Sequence, residues 1–141
     1  MTFIFAASEI FYYLCTQIYG NHPRDIETME ITSLLEYADR AQLRQWFMDN
    51  HATAKDCWVI IYRTKVPRKD CIAYLDAVKE ALCFGWIDST VKRLPDGRCA
   101  QRFSPRRRNS HWTELNLQRC NDLEQRGLMT DAGRVVLPAR S

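Results

Sequence analysis

The densest chemical signal in the sequence is a run of cations between Lys92 and Arg108. Residues 92–108 contain seven cations and one anion, a local charge of +6, whereas the whole chain carries +3. Three consecutive arginines, residues 106–108, stand just before Ser110, which is predicted to cap the start of a helix. Free N–H groups at a helix start favour anions, and guanidinium groups fit carboxylate or phosphate oxygens. This pattern predicts an anion-binding site.

The candidate ligand-binding residues combine cationic, hydrogen-bonding, aromatic and acidic side chains. They are Trp86, Asp88, Arg102, Arg106, Arg107, Ser110, Trp112 and Asn116. The arginines would neutralise an anionic group, and the Ser and Asn side chains would hydrogen-bond it. A tryptophan would form an apolar wall, and the aspartate would orient one of the arginines. The predicted partner is therefore a small anionic ligand.

Other interpretations of the same residues stay open. The arginines could solvate a loop and a strand edge, Asp88 could serve as an ion-pair partner, and the tryptophans could be core residues, because aromatic rings bury large areas. His51 follows a predicted helix, where an imidazole interacts favourably with the last carbonyls. An enzyme acting on a small anionic substrate would use Asp88 or His51 as its general acid or base. Nucleic-acid binding by the arginine-rich edge is a third function, marked by a steep salt dependence.

Several function classes lose support because their signatures are absent from the sequence. G-x-G-x-x-G, G-x-x-x-x-G-K-[ST], G-x-S-x-G and H-E-x-x-H do not occur, so no cofactor is predicted. The six cysteines and three histidines form no cluster with metal-ligand spacing, so no metal site is predicted. Cys57, Cys71 and Cys83 lie inside apolar runs, where a thiol behaves as a small hydrophobe. They are expected to be buried and reduced.

The elements that would position the site follow from hydrophobic spacing and turn residues. We predict helices over residues 40–50, 72–82, 110–126 and 130–134, a buried strand over 57–62, and a hairpin of strands 86–94 and 98–103 around Pro95-Asp96-Gly97. Asp39 is the predicted N-cap of the first helix. Hairpin connections produce antiparallel pairs, so the fold class is α+β, with a small antiparallel sheet of about three strands packed with three to four helices.

The length of 141 residues suits one domain, which we place at residues 29–141. Residues 1–28 form an apolar N-terminal extension that we expect to be dispensable for function. This extension contains no Lys or Arg before Arg24, unlike a secretory signal, and Glu9 would cost about 2.5–3.5 kcal/mol at the centre of a membrane span. We therefore expect no membrane span, a cytoplasmic location and a monomer or weak dimer.

A set of motifs resembles the bacterial YdeI/OmpD-associated family, whose members are commonly described as bacteriocin-protection proteins. The resemblance covers about residues 34–137 and rests on segments 46–51 (WFMDNH), 58–62 (WVIIY), 81–88 (ALCFGWID), 102–107 (RFSPRR), 110–116 (S-x-W-x-x-x-N) and 127–130 (GLMT). It implies a small cytosolic protein, tied by genetics to tolerance of cationic antimicrobial peptides, with no established reaction. Family members often continue into a further basic helical segment, whereas this sequence ends at Ser141. Direct binding of a cationic peptide is disfavoured because the basic cluster has the wrong sign.

Overall fold

The structure is a computed structural model that describes residues 30–139, so the predicted extension over residues 1–28 lies outside the described residues. The described part contains five strands and four helices. In chain order they are β1 (Leu34–Leu35), α1 (Arg40–Asn50), β2 (Cys57–Tyr62), β3 (Ile72–Ala73), α2 (Tyr74–Cys83), β4 (Trp86–Arg93), β5 (Cys99–Pro105), α3 (Glu114–Gln125) and α4 (Asp131–Val135).

These elements form one mixed sheet with helices packed on it, which confirms the α+β class. The order is β1-β2-β5-β4, and β3 also pairs with β2. The long strand β5 is antiparallel to both of its neighbours, β2 and β4, as predicted, whereas β1 and β3 each add a parallel pair to β2. The sheet therefore has more strands than the three expected. Strands of two residues carry no alternation from which a sequence pattern could be recognised.

The helix starts show how local sequence positions these elements. Asp39 caps α1, with its side chain accepting from the backbone N–H of Gln42 while the Gln42 side chain accepts from Asp39, which confirms the predicted N-cap. The second helix begins at Tyr74, because Ile72 and Ala73 pair with β2 instead. It ends before Gly85, whose φ of +76° suits glycine and turns the chain into β4.

The predicted hairpin of β4 and β5 is confirmed. The N–H of Leu94 donates to the carbonyl of Arg98 at 2.8 Å and closes the turn. The pairing of β4 with β5 shifts register between Asp88 and Val91, an irregularity of the β-bulge type that locally re-aims side chains.

The main core lies between the sheet and the helices and is rich in aromatic rings. Phe47 of α1 stacks on Phe84 at 5.4 Å between ring centroids and packs edge-on against Trp86 at 5.3 Å. A second core cluster, formed by Trp58, Ile60, Cys71 and Ala100, is separate from the main core. Successive strand residues point to opposite faces, and Val59 and Ile61 belong to the main core, so the second core cluster lies on the other face of the sheet.

The cysteines of the described part have free thiols, and Cys57, Cys71 and Cys83 are buried as predicted. Burial raises the pKa of all three thiols. They therefore act as packing residues with little thiolate at neutral pH. None of the helices in residues 30–139 is long and apolar enough to cross a membrane.

Candidate functional site

Arg106 lies directly after β5 and is the most deeply buried member of the arginine run. Arg106 is 6% exposed, and its backbone N–H donates to the carbonyl of Gly85 at 2.9 Å. The guanidinium carbon stands 3.7 Å from the centroid of the Trp112 ring, a cation–π contact. Nη1 donates to Ser110 Oγ and to the carbonyl of His111, both at 3.2 Å. These contacts fix the guanidinium plane.

The remaining edge of this guanidinium is unpartnered. Among residues 30–139, neither Nε nor Nη2 of Arg106 has a hydrogen-bond partner, although both atoms are shielded from solvent. These two nitrogens share one edge of the guanidinium, the edge that binds both oxygens of a carboxylate or phosphate side by side. Burial lowers the pKa of Arg106, while the negative charge of Asp88 acts in the opposite direction. The group remains a cation, because an arginine does not deprotonate in a protein.

Arg106 lines a pocket of about 710 Å³, which we call the Arg106 pocket. Ser110 and Trp112 line it as well, together with Arg108, Asn109 and residues 135–139. Sequence analysis missed residues 135–139, since they end and follow a five-residue helix and carry no charged group. The sequence of this segment, Val-Val-Leu-Pro-Ala, is apolar throughout, and this was the feature from which its place in a pocket lining could have been predicted.

Arg107 belongs to a different pocket from its neighbour. It is exposed and lines a pocket of about 540 Å³ with Ile87 and Ser104. Ser110 contributes to both pockets and lies at their junction. Arg106 and Arg107 are therefore chemically identical neighbours in contrasting surroundings.

Arg102 lies in β5 and does not line the Arg106 pocket. It lies opposite Trp58 in the register of β2 and β5, which places it on the face of the second core cluster. Its Nε donates to Asp56 Oδ2 at 3.1 Å. Arg102 thus forms an ion pair that ties β5 to the start of β2, and it is not among the pocket-lining residues.

Trp86 lies in the core and Asn116 in a helix, so neither lines the Arg106 pocket. Trp86 is 1% exposed and packs edge-on against Trp46 at 5.8 Å between centroids. The side-chain oxygen of Asn116 accepts from Arg119 at 2.9 Å within α3. Of the two tryptophans predicted to form an apolar wall, only Trp112 lines the Arg106 pocket.

The prediction that Ser110 caps the third helix is wrong. The N-cap is Thr113, whose hydroxyl accepts from the backbone N–H of Asn116 at 3.1 Å, and α3 begins at Glu114. Ser110 ends a turn instead, in which its N–H donates to the carbonyl of Arg107 at 3.0 Å. Ser110 and Thr113 are both residue types that favour the N-cap position and lie only three residues apart, so the sequence alone did not show which of them caps the helix. The site therefore rests on Arg106 and not on a helix start.

Asp88 and His51 have assigned partners. Asp88 Oδ2 accepts from the hydroxyl of Tyr74 at 2.5 Å, and its charge acts on Arg106 from a distance without a hydrogen bond between them. His51 Nδ1 lies 2.7 Å from the carbonyl of Phe47 at the end of α1, so the imidazole caps this helix. Sequence analysis did not identify Tyr74 as the partner of Asp88.

The local charge of +6 is partly neutralised by acids from other parts of the chain. Arg98 pairs with Glu36 at 3.1 Å and Arg102 pairs with Asp56 at 3.1 Å, while Asp96, the anion already counted in the +6, lies 2.8 Å from Arg98. Within residues 30–139, no group of three or more His, Cys, Asp or Glu side chains is placed to hold a metal ion. The polar and aromatic groups that line the Arg106 pocket are guanidinium, carboxamide, hydroxyl and indole groups.

Comparison with known proteins places the chain in a family of unassigned activity. A family model described as a domain of unknown function, DUF8412, matches residues 35–136. The chain belongs to this family. The match begins at the last residue of β1 and covers β2 to β5 and all four described helices. No curated protein and no solved structure matches the chain.

Proposed function

We propose that this protein is a binding module for a small anionic ligand, which it holds at the Nε and Nη2 edge of Arg106. The observation that carries this proposal is an arginine that is 6% exposed and leaves one edge of its guanidinium without a hydrogen-bond partner among the described residues. A buried donor without a partner costs about 1–3 kcal/mol, and more when it is charged. A bound carboxylate or phosphate would remove this cost.

The surroundings of Arg106 favour a pre-organised site over a mobile surface cation. Ser110, His111 and Trp112 already fix the position of the guanidinium, so little side-chain entropy is lost when an anion binds. Hydrogen bonds that involve a charged partner contribute about 1.5–3 kcal/mol each. Two such bonds on one edge would give the site specificity for paired oxygens.

A ligand reaches the shielded edge when part of the pocket wall moves aside. Residues 137–139 line the Arg106 pocket and also a second pocket of about 460 Å³ beside Cys120 and Met129. Among the described residues, this segment thus borders a pocket on each of two sides. It is the part of the wall that we propose yields to the ligand.

The test is NMR titration of the full chain with two probes, acetate and inorganic phosphate. The Arg106 Nε–H resonance should shift on addition of a probe that binds. Arg106→Gln should weaken binding at least tenfold, since it removes charge and fork together, which corresponds to about 1.4 kcal/mol or more. Arg107→Gln is the matched control and should change affinity by less than about twofold, because exposed charges contribute little.

Circular dichroism verifies that each variant is folded. If Arg106→Gln does not fold, the Nε–H resonance of the unsubstituted protein decides the question. An unmoved resonance with both probes, or equal weakening by Arg106→Gln and Arg107→Gln, would show that the proposal is wrong.

The Tyr74–Asp88 contact does not support the alternative function, acid–base chemistry on a bound anion, because neither residue lines the Arg106 pocket.

Nucleic-acid binding gains less support, because Arg98 and Arg102 are neutralised by acids and Arg106 is buried. A shallow dependence of any oligonucleotide affinity on salt would agree with this assessment. The kinship with YdeI/OmpD-associated proteins, the cytoplasmic location and the monomeric or weakly dimeric state stay predictions.

A further inference from the structure

We infer that the ligand of the Arg106 pocket is an organic monocarboxylate with an apolar body. This inference rests on the proposed function and adds the chemical class of the ligand. It follows from two features of the pocket, the single buried positive charge and the apolar segment that shares the lining.

The charge of the buried part of the site matches a monoanion. Nη1 of Arg106 is already bonded to Ser110 and His111, so one edge with one formal charge is available to a ligand. Asp88 adds negative potential at Arg106. A phosphate dianion would need a second cation beside the shielded edge, and Arg108, the other cation of the lining, is exposed to solvent. A carboxylate matches both the charge and the two donors.

The lining beside Arg106 provides apolar surface for the rest of the ligand. Residues 135–139 contain no charged or hydroxyl side chain, and Val135 is 81% exposed. The indole of Trp112 lines the same pocket. The pocket volume of about 710 Å³ lies within the range of small-molecule sites. An aliphatic or aromatic body would cover Val135 and its neighbours while the carboxylate meets Arg106.

The experiment is an affinity series on the full chain with straight-chain carboxylates from acetate through butyrate and hexanoate to octanoate. Inorganic phosphate is the comparison ligand. Each added methylene that reaches the apolar wall should tighten binding up to about fourfold, the factor that corresponds to about 0.8 kcal/mol per buried methylene. Octanoate should then bind far more tightly than acetate or phosphate.

Val135→Ser tests where the alkyl chain of the ligand binds, and Arg106→Gln tests where its carboxylate binds. Val135→Ser should reduce the gain per methylene, and its exposed position makes it tolerable to the fold. Leu115→Ser is the matched control, because Leu115 is 56% exposed on α3 and is not a lining residue. It should leave the whole series unchanged. Arg106→Gln should weaken every carboxylate at least tenfold.

The outcomes separate this inference from the proposed function. If acetate or phosphate binds in an Arg106-dependent manner while affinity is flat across chain length, the inference is wrong and the proposed function stands. If no anion binds at Arg106, the proposed function is wrong and the inference falls with it. A chain-length gain that Val135→Ser and Leu115→Ser reduce equally would also overturn the inference.

Discussion

Gly133 is the position at which α4 touches the end of α2, and a single methyl group there should disturb both stability and the Arg106 pocket. A Cβ on Gly133 would lie 2.8 Å from the carbonyl carbon of Cys83 and 2.9 Å from the carbonyl oxygen of Leu82, and closer still to the oxygen of Cys83. All three atoms belong to backbone, which cannot rotate away as a side chain can. Gly133→Ala therefore forces α4 away from α2.

The size of the effect follows from three contributions. Crowding of a packed contact costs about 1–3 kcal/mol. Thr130 donates to the carbonyl of Cys83 through its N–H at 3.1 Å and through Oγ1 at 2.5 Å, and displacement weakens these bonds by about 0.5–1.5 kcal/mol each. Replacing Gly by Ala in a helix returns about 1 kcal/mol. We expect Gly133→Ala to lower the free energy of unfolding by about 1–5 kcal/mol.

The assay is urea unfolding followed by circular dichroism, combined with acetate titration of the Arg106 pocket. Residues 135–139 end and follow α4, so its displacement should also weaken acetate binding. Thr130→Ala is the comparison variant, because it removes a cap and a hydroxyl hydrogen bond without adding bulk, at about 1 kcal/mol. A Gly133→Ala protein that is as stable as the unsubstituted protein, with unchanged acetate affinity, would refute the close-packing argument.

Two further predictions concern groups buried elsewhere in the fold. Glu80 is 2% exposed and pairs with Arg40 at 2.5 Å and with Arg44 at 3.1 Å. Glu80→Ala should therefore lower the free energy of unfolding, measured in urea, by about 2–4 kcal/mol. The cost is smaller than that of breaking a fully buried pair, because both arginines are partly exposed. Asp76→Ala, which removes an exposed and longer contact to Arg40, should cost less than about 1 kcal/mol, and equal costs would contradict this assignment. Burial raises the pKa of the Cys120 thiol from 9.0 to about 11, so its stabilising contribution is complete below pH 9 and is lost as the pH rises from 9 to 11. The free energy of unfolding should fall in this window by up to about 1.4 kcal/mol per pH unit on account of this thiol, and Cys120→Ala should make the fall shallower.

Local sequence patterns predicted the long elements well, for identifiable reasons. The Asp39 cap, the apolar run of β2 and the turn at Gly97 are signals that act over a few residues, and each is present in the structure. The misassigned elements were those whose local signal was ambiguous or short. Ile72 and Ala73 fit a helix by spacing, but pairing with β2 takes them into the sheet.

The candidate site was only partly predictable, because its members were selected by contacts between distant parts of the chain. Three consecutive arginines at residues 106–108 are indistinguishable in sequence. The carbonyl of Gly85 and the ring of Trp112 bury Arg106, whereas Arg107 stays exposed. Asp56, the acid that pairs with Arg102, lies directly before β2 and is distant from Arg102 in the sequence, so no local pattern indicated this ion pair.

The sequence by itself determined the class of fold, the positions of the long strands and helices, and the concentration of cations that directs attention to residues 92–108. These follow from periodicity, capping and charge, which are properties of neighbouring residues. Only the tertiary structure decided which cation is buried with an unpartnered edge, which tryptophan lies beside it, and that the apolar residues 135–139 share its pocket. Burial and partnering depend on contacts across the sheet and between helices, and such contacts have no representation in the order of residues along the chain.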